Sequence, residues 1–376
     1  MARQLGKRRS KQAERQVGYA VVGLGHFAQD AILPAFEHAN ENSRLVALVS
    51  GNPEKARELG ERYGVPAFSY ERFEECLALP EVEAVYIAVP NTLHSEYAVR
   101  AAKAGVHVLC EKPLATTEAE CREMIRACAE SDVRLMTAYR LHFEQANLTA
   151  VEAVRKGKLG EPRLFTSTFS FQVHAPNIRL ERDKGGGVLW DIGVYCVNAA
   201  RYLFHAEPVE VFAFCDKSQD PRFTEVEGAA SVVMRFPEGK LAAFNVSFGA
   251  EAVATYQLVG TEGTLRVDNA YEYKGEIRWE LMSEGKKRKG KVPERDQIAP
   301  ELLTFSDCIL EGRDPEPDGW EGLADVRIIS GLYESARTGQ PVKLEPFERP
   351  RRPTKEQEVH RPPAETPEYV NVESPS

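Results

Sequence analysis

The first third of the chain carries short apolar runs, Tyr19 to Val22, Leu45 to Val49, Ala84 to Val89 and His107 to Leu109, spaced by helix-length segments. That rhythm predicts βαβ units on a parallel sheet. A further run, Arg134 to Thr137, ends this region, and a helix over Ala146 to Lys156 opens the next.

After about residue 160 the runs follow one another with few helices between them: "RLFTSTFSF", "VEVFAFC", "AASVVMRF", "KLAAFNVSF", "TYQLVG" and "GTLRV". The pattern predicts a large, mostly antiparallel sheet, hence an α+β domain behind an α/β Rossmann domain. Helices are expected at Val188 to Leu203, introduced by Gly185-Gly186-Gly187, and at Leu323 to Thr338. Residues 1–16, basic and with little to bury, read as a mobile arm. Residues 17–139 form the expected nucleotide-binding domain and 140–345 the substrate and oligomerisation domain. The Pro- and Glu-rich stretch 346–376 is expected to be extended or disordered, with a partner subunit as one surface it could lie against.

A chain of 376 residues is long enough for two such cores. Asp and Glu outnumber Lys and Arg by 57 to 48, and the net charge of -9 argues against a nucleic-acid or anionic-membrane surface. The seven cysteines form no C-x-x-C pair, so no zinc site, no other metal and no disulfide frame is expected, and a reducing cytoplasm fits best. No stretch approaches the ~18 apolar residues of a membrane span. Arg8-Arg9 lacks the hydrophobic region of an export signal. The open face of the second sheet suits a homo-oligomer, dimer or tetramer.

Candidate chemistry begins at "VGLGHFAQDAILPAF", residues 22–36, where Gly23, Gly25 and Ala28 follow the first apolar run in G-x-G-x-x-A spacing. Between a buried strand and a helix, such a turn lets the backbone approach a pyrophosphate, whose charge the free amides favour. His26 and Phe27 lie in this turn and belong to the expected cofactor side. The second strand ends in Ser50, where an NAD site usually places a carboxylate. Ser50, the backbone of Gly51 and Asn52, and the Lys55 cation suit a 2'-phosphate, so NADP is the expected cofactor. The competing reading makes Ser50-Gly51-Asn52 a plain turn and Lys55 a solvated helix residue.

The fourth strand runs into "VLCEKPLA". Pro113 biases Lys112 towards an extended conformation at the carboxyl end of a parallel strand, where ligands gather in open α/β sheets. There an ammonium stabilises a developing alkoxide, with Glu111 orienting the site. In "VLWDIGVYCVNAARYLF" Asp191, Tyr195 and Asn198 fall on one helical face. Tyr195 is the expected proton donor and acceptor, since a neighbouring cation such as Lys112 lowers a phenol from its ordinary ~10. Asp191 is expected to bind a substrate hydroxyl or to fix a side chain. Tyr139, Arg140 and His142 follow the fifth strand, and Arg179 and Arg182 precede the glycine triplet; these are the weaker substrate-side candidates.

The ordered set "VGLG", "ALVSGNPEKA", "AVPNTLHSEYAVRAAKAGVHVLCEKPLA", "AYRLHFE" and "GGGVLWDIGVYCVNAARYL" resembles the glucose-fructose oxidoreductase and inositol dehydrogenase family over roughly residues 17 to 345. "SGN-x-EKA", "DIGVY" and "LYESARTGQPV" most resemble its glucose-fructose oxidoreductase branch. The resemblance implies an NADP cofactor and hydride exchange with sugars. It assigns Gly23, Gly25, Ser50, Lys55, Pro90, Asn91, His94, Glu111, Lys112 and Arg140 to the cofactor side, and Lys112, Asp191 and Tyr195 to catalysis. Many relatives carry histidine in a D-x-x-x-H pattern where this chain has Tyr195, which narrows the subgroup without naming a substrate. A sugar-to-sugar enzyme that keeps its cofactor, an NADP-dependent xylose, aldose or dihydrodiol dehydrogenase that exchanges it, and a non-catalytic NADP-binding sensor all stay open.

Overall fold

The computed structural model describes residues 15–216 and 219–372. Most of the basic arm, residues 1–14, lies outside the described residues. The first sheet is parallel and six-stranded. Its strands are β1 (Val17–Val22), β2 (Ser43–Val49), β3 (Ala67–Phe68), β4 (Ala84–Ile87), β5 (His107–Glu111) and β6 (Leu135–Ala138), in the order β3-β2-β1-β4-β5-β6. Every residue of β1 and β4 is buried, which accounts for their uninterrupted apolar character. Helices α1 (Leu33–His38), α2 (Pro53–Tyr63), α3 (Phe73–Leu77), α4 (His94–Lys103) and α5 (Glu118–Glu130) connect the strands. Asn52 caps α2 by accepting a hydrogen bond from the Lys55 amide, and Thr117 caps α5 through the Glu120 amide.

Helix α6 (Gln145–Arg155) leads into the second sheet. Its strands are β7 (Pro162–Ser170), β8 (Glu210–Cys215), β9 (Ala229–Arg235), β10 (Leu241–Ser247), β11 (Val253–Gly260), β12 (Gly263–Asp268), β13 (Ile277–Ser283), β14 (Lys286–Val292) and β15 (Val342–Lys343). The order is β14-β13-β12-β11-β7-β10-β9-β8-β15, antiparallel except for the β7–β10 pair. Inward residues alternate along β9 and β10: Ala230, Val232 and Met234, then Ala242, Phe244 and Val246 are buried. They pack with α7 (Val194–Phe204) and α9 (Gly319–Thr338) in one core. The opposite face is open and carries Leu164, Phe214, Val233, Leu241, Val253 and Met282 in exposed positions.

Three features add to the sequence expectation. Helix α8 (Ala299–Glu311), inside the stretch assigned to the second domain, packs on the first: Ile298, Leu302, Leu303 and Phe305 share a core with Val17, Tyr19, Val21 and Leu48. The nucleotide-binding unit is therefore assembled from two stretches of chain. Helix α9 bridges both units, touching α5 and β6 on one side and β8 on the other. The segment from 346 to 372 is extended and lies along its own chain. Arg349 pairs with Glu316, Asp318 and Glu321, Arg352 with Glu207, and Arg361 donates to the carbonyl of His38.

Candidate active site

The glycine turn leaves β1 at Gly23, whose φ of +96° suits glycine. A Cβ there would lie 2.5 Å from the carbonyl oxygen of Ala88, so the turn rests directly on the end of β4. Gly25 is different: a Cβ built on it meets nothing within 4 Å. That open space lies beside the start of a helix, and it fits the approach of a dinucleotide pyrophosphate. The following residues, Ala28–Ile32, form a π turn that continues into α1. Pro34 lacks the N–H that an α-helix would place on the Asp30 carbonyl, which gives the widening a local cause.

At the end of β2, Ser50 is buried and its hydroxyl accepts from the Asn52 amide at 3.2 Å. Gly51 sits under the ring of Tyr70, where a Cβ would come within 2.9 Å. The Asn52 side chain is occupied as the α2 cap, 2.9 Å from the Lys55 amide. Lys55 forms no ion pair among the described residues, and partial burial lowers its pKa from the ordinary lysine value. A hydroxyl, backbone amides and an uncommitted cation meet here with no carboxylate among them, a donor set that fits a phosphate.

Across the sheet, Lys112 follows β5 directly and reaches the other domain. Its Nζ donates to the Asp191 carbonyl at 2.9 Å and to Asp191 Oδ1 at 3.1 Å. It also lies 4.8 Å from the ring centroid of Tyr195. Arg140 covers the same ring, its Cζ 4.9 Å from the centroid. Arg179 Nε donates to Asp191 Oδ2 at 2.6 Å. Burial disfavours the Asp191 charge, but Arg179 and Lys112 outweigh it and hold the carboxyl well below the usual carboxylate range. Burial likewise opposes the Lys112 charge, yet Asp191, Tyr195 and Glu111 raise its pKa above the ordinary lysine value. Lys112 is therefore a stable ammonium with two of its three N–H groups committed to Asp191 and one to spare.

Behind Lys112 stands a buried acidic pair. Tyr86 donates to Glu111 Oε1 at 2.9 Å and approaches Glu301 Oε2 at 3.2 Å. Burial raises Glu111, and burial together with the neighbouring Glu111 charge pushes Glu301 well above the carboxylate range. The helix carrying Asp191 also opens with a π turn, Leu189–Gly193, before α7. Asp191 lies within this turn, and its carbonyl accepts from Lys112.

Residues 17–139 match the family described as "Oxidoreductase family, NAD-binding Rossmann fold", and residues 147–266 match the "GFO/IDH/MocA C-terminal domain". The NADP-linked D-xylose 1-dehydrogenase of Haloarcula marismortui is 31% identical over 340 residues, 88% of this chain and 94% of that protein. The chain belongs to the GFO/IDH/MocA oxidoreductase family. The trans-1,2-dihydrobenzene-1,2-diol dehydrogenase of Mus musculus is 29% identical over 334 residues, 85% of this chain and 95% of that protein. Among solved structures, an aldose-aldose oxidoreductase from Caulobacter crescentus complexed with glycerol is 40% identical. It superposes with a TM-score of 0.84, covering 88% of this chain and all of that one. The fold class inferred from the sequence, a parallel Rossmann sheet followed by a mostly antiparallel one, is that of the GFO/IDH/MocA family.

Within this GFO/IDH/MocA chain the structure sorts the sequence candidates. Lys112, Arg140, Arg179, Asp191 and Tyr195 meet in one cluster between the domains, with Glu111 beside Lys112. Gly23, Gly25, His26 and Phe27 lie in the turn after β1, and Ser50, Gly51, Asn52 and Lys55 at the end of β2. Pro90 and Asn91 follow β4, and Asn91 donates to the Gly185 carbonyl at 2.9 Å, tying the glycine triplet to the Rossmann domain. Four side chains are engaged elsewhere. His94 is fully buried, its ring nitrogens 2.9 and 3.0 Å from the carbonyls of Pro113 and Val89, so it fastens the Lys112 loop from behind. Tyr139 donates to Asp325, and His142 Nε2 lies 2.8 Å from Asn198 Oδ1. Both belong with Asn198 to a buried network centred on Arg201, which pairs with Glu207, Glu321 and Asp325. Arg182 turns away onto the carbonyl of Glu225. Tyr273, absent from the sequence candidates, packs its ring edge-on against Phe27 at 5.6 Å and beneath Arg140. Its only sequence signal is the aromatic spacing in "AYEYKG" after β12.

Proposed function

We propose that this protein is an NADP-dependent oxidoreductase that exchanges hydride with an aldose, with Tyr195 and Lys112 as its catalytic residues and Asp191 as the group that holds Lys112. The observation that supports this most is the meeting of Lys112, from the Rossmann domain, with Tyr195 and Asp191, from the second domain, beside the open glycine turn. The bound nicotinamide supplies the hydride acceptor and donor. Gly23 and Gly25 with the amides of His26 and Phe27 hold the pyrophosphate, and Ser50, Gly51, Asn52 and Lys55 hold the 2'-phosphate. Tyr195, entering this step as its phenolate, takes the proton of the substrate hydroxyl and becomes the phenol, and the spare N–H of Lys112 donates to the same substrate oxygen as negative charge grows there. Arg140, across the Tyr195 ring, adds a second cation to that field. In the reducing direction the same groups return proton and charge to a carbonyl.

A sugar is supported as substrate by the aldose-aldose oxidoreductase at 40% identity and by the xylose dehydrogenase. Cofactor retained between two sugars is the form of the reaction favoured by the first of these. Incubating the purified protein with a panel of aldoses and either NADP or NAD, and following reduced cofactor by absorbance, tests the reading. NADPH formation with at least one aldose is expected; tight NADP binding with no turnover on any sugar would replace the enzyme by a sensor. The seven unpaired cysteines support a cytoplasmic location, and the open face of the second sheet supports assembly with a second copy of the chain.

A further inference from the structure

The far end of the chain returns to its first turn. Glu368 to Asn371 pass between the helix that follows the glycine turn and α2, and each makes a contact. The Glu368 carbonyl accepts from Arg62 Nη1 at 2.6 Å. The Tyr369 hydroxyl donates to Asp30 Oδ1 at 2.6 Å, and its ring lies 4.7 Å from that of His26. Val370 grips Gln29 twice: its amide donates to Gln29 Oε1 at 2.8 Å, and its carbonyl accepts from Gln29 Nε2 at 2.9 Å. Asn371 reaches Glu54 in the first turn of α2. Val370 is 5% exposed and joins the core of Leu24, Ile32 and Leu302.

The grip extends across the cleft. The Asp30 side chain is buried and receives three donors from two segments: Tyr369 from one, and Tyr273 at 2.7 Å and Lys274 at 2.8 Å from the other. Burial disfavours its charge, but these partners hold its pKa below the ordinary aspartate value. Tyr273 in turn packs on Phe27 and beneath Arg140, which covers Tyr195. The C-terminal segment, the pyrophosphate turn and the loop beside the catalytic tyrosine therefore meet on one carboxylate.

We propose that residues 368–371 form a clasp that holds the dinucleotide in place, with Tyr369 a positioning residue acting through His26 and Asp30. This inference rests on the NADP site assigned above. With the clasp seated, the helix start that faces the pyrophosphate is pinned from outside, and His26 is fixed at the mouth of the turn. Without the contacts to Gln29 and Asp30 the helix start is free to shift, and a turn that shifts holds the pyrophosphate less tightly. A cofactor held this way stays through successive turnovers, as an exchange between two sugars needs.

Stopped-flow fluorescence of NADPH displaced by excess NADP, on the intact protein, Tyr369→Phe, Tyr369→Ala and a chain ending at Pro367, tests the clasp. Dissociation is expected to accelerate about tenfold or more in Tyr369→Ala, the scale of one hydrogen bond to a charged group, and further in the shortened chain. Tyr369→Phe keeps the ring on His26 and falls between. The KM for NADP should rise more than kcat changes, with the thermal midpoint of Tyr369→Ala close to that of the intact protein. Dissociation rates within about twofold of the intact protein in folded Tyr369→Ala would overturn the clasp. Should the shortened chain fail to fold, the two Tyr369 variants decide alone. An intact protein that binds NADP no better than NAD would instead undercut the cofactor assignment, a result visible before any variant is made.

Discussion

Tyr195 stands between two cations, Lys112 at 4.8 Å and Arg140 at 4.9 Å from its ring centroid. Removing its hydroxyl in Tyr195→Phe keeps the ring that both cations cover and deletes the proton acceptor. Turnover is expected to fall by about a hundredfold or more, the usual scale of acid–base catalysis, while NADP affinity measured by fluorescence titration stays the same. At the other end of the nucleotide, Ser50→Glu introduces a carboxylate where a 2'-phosphate is expected, so the ratio of kcat/KM for NADP to that for NAD should drop and favour NAD. Unchanged selectivity would remove Ser50, Gly51 and Lys55 from phosphate binding. At this scale the sequence separated residues unevenly. Lys112 was readable because Pro113 and the strand end fix its place. His94, Tyr139 and His142 were not, because a buried polar side chain bonded to backbone or to an ion network looks the same in one sequence as a ligand-facing one.

The elements show why. Helix α7 presents Tyr195 to Lys112 but Asn198 and Arg201 to α9, so its polar stripe divides between a site and an interior. The π turns at 28–32 and 189–193 precede both site helices, and no periodicity in the sequence announces them. Burial in the α7–α9 interior lowers the pKa of His142 to about 4, against 6.5 in an unfolded chain. Between those values the unfolded chain binds one more proton than the folded one, so His142 contributes stability above pH 6.5 that is lost as pH falls towards 4. Chemical denaturation across this range should show folding stability declining with acid, and His142→Gln should reduce that decline by the equivalent of one proton. An identical pH dependence in the variant would place the titration elsewhere.

For the whole molecule, the parallel and antiparallel sheets were legible because β1 and β4 are buried throughout and β2 and β5 carry continuous apolar runs, whereas β9 and β10 alternate. The terminal hairpin was harder to read, since β14 is "KKRKGKV", an exposed edge with almost no inward apolar residue. The exposed apolar face of the second sheet leads to a prediction at this scale. Phe214, 66% exposed on the same face as Val233 and Leu241, is expected to be covered by a second copy. Phe214→Glu should shift the mass measured by analytical ultracentrifugation from an oligomer towards a single chain; a single chain for the unaltered protein would remove the face as an interface.

Helix α8 roofs the first sheet although residues 139–298, which build the other unit, are made before it. A ribosome thus releases all six parallel strands while Tyr19, Val21 and Leu48 still lack the Leu302 and Phe305 that will cover them. The nascent chain carries a sticky face until Glu311 clears the exit tunnel, which makes it a client for chaperones during synthesis and makes any fragment cut at residue 139 prone to aggregate.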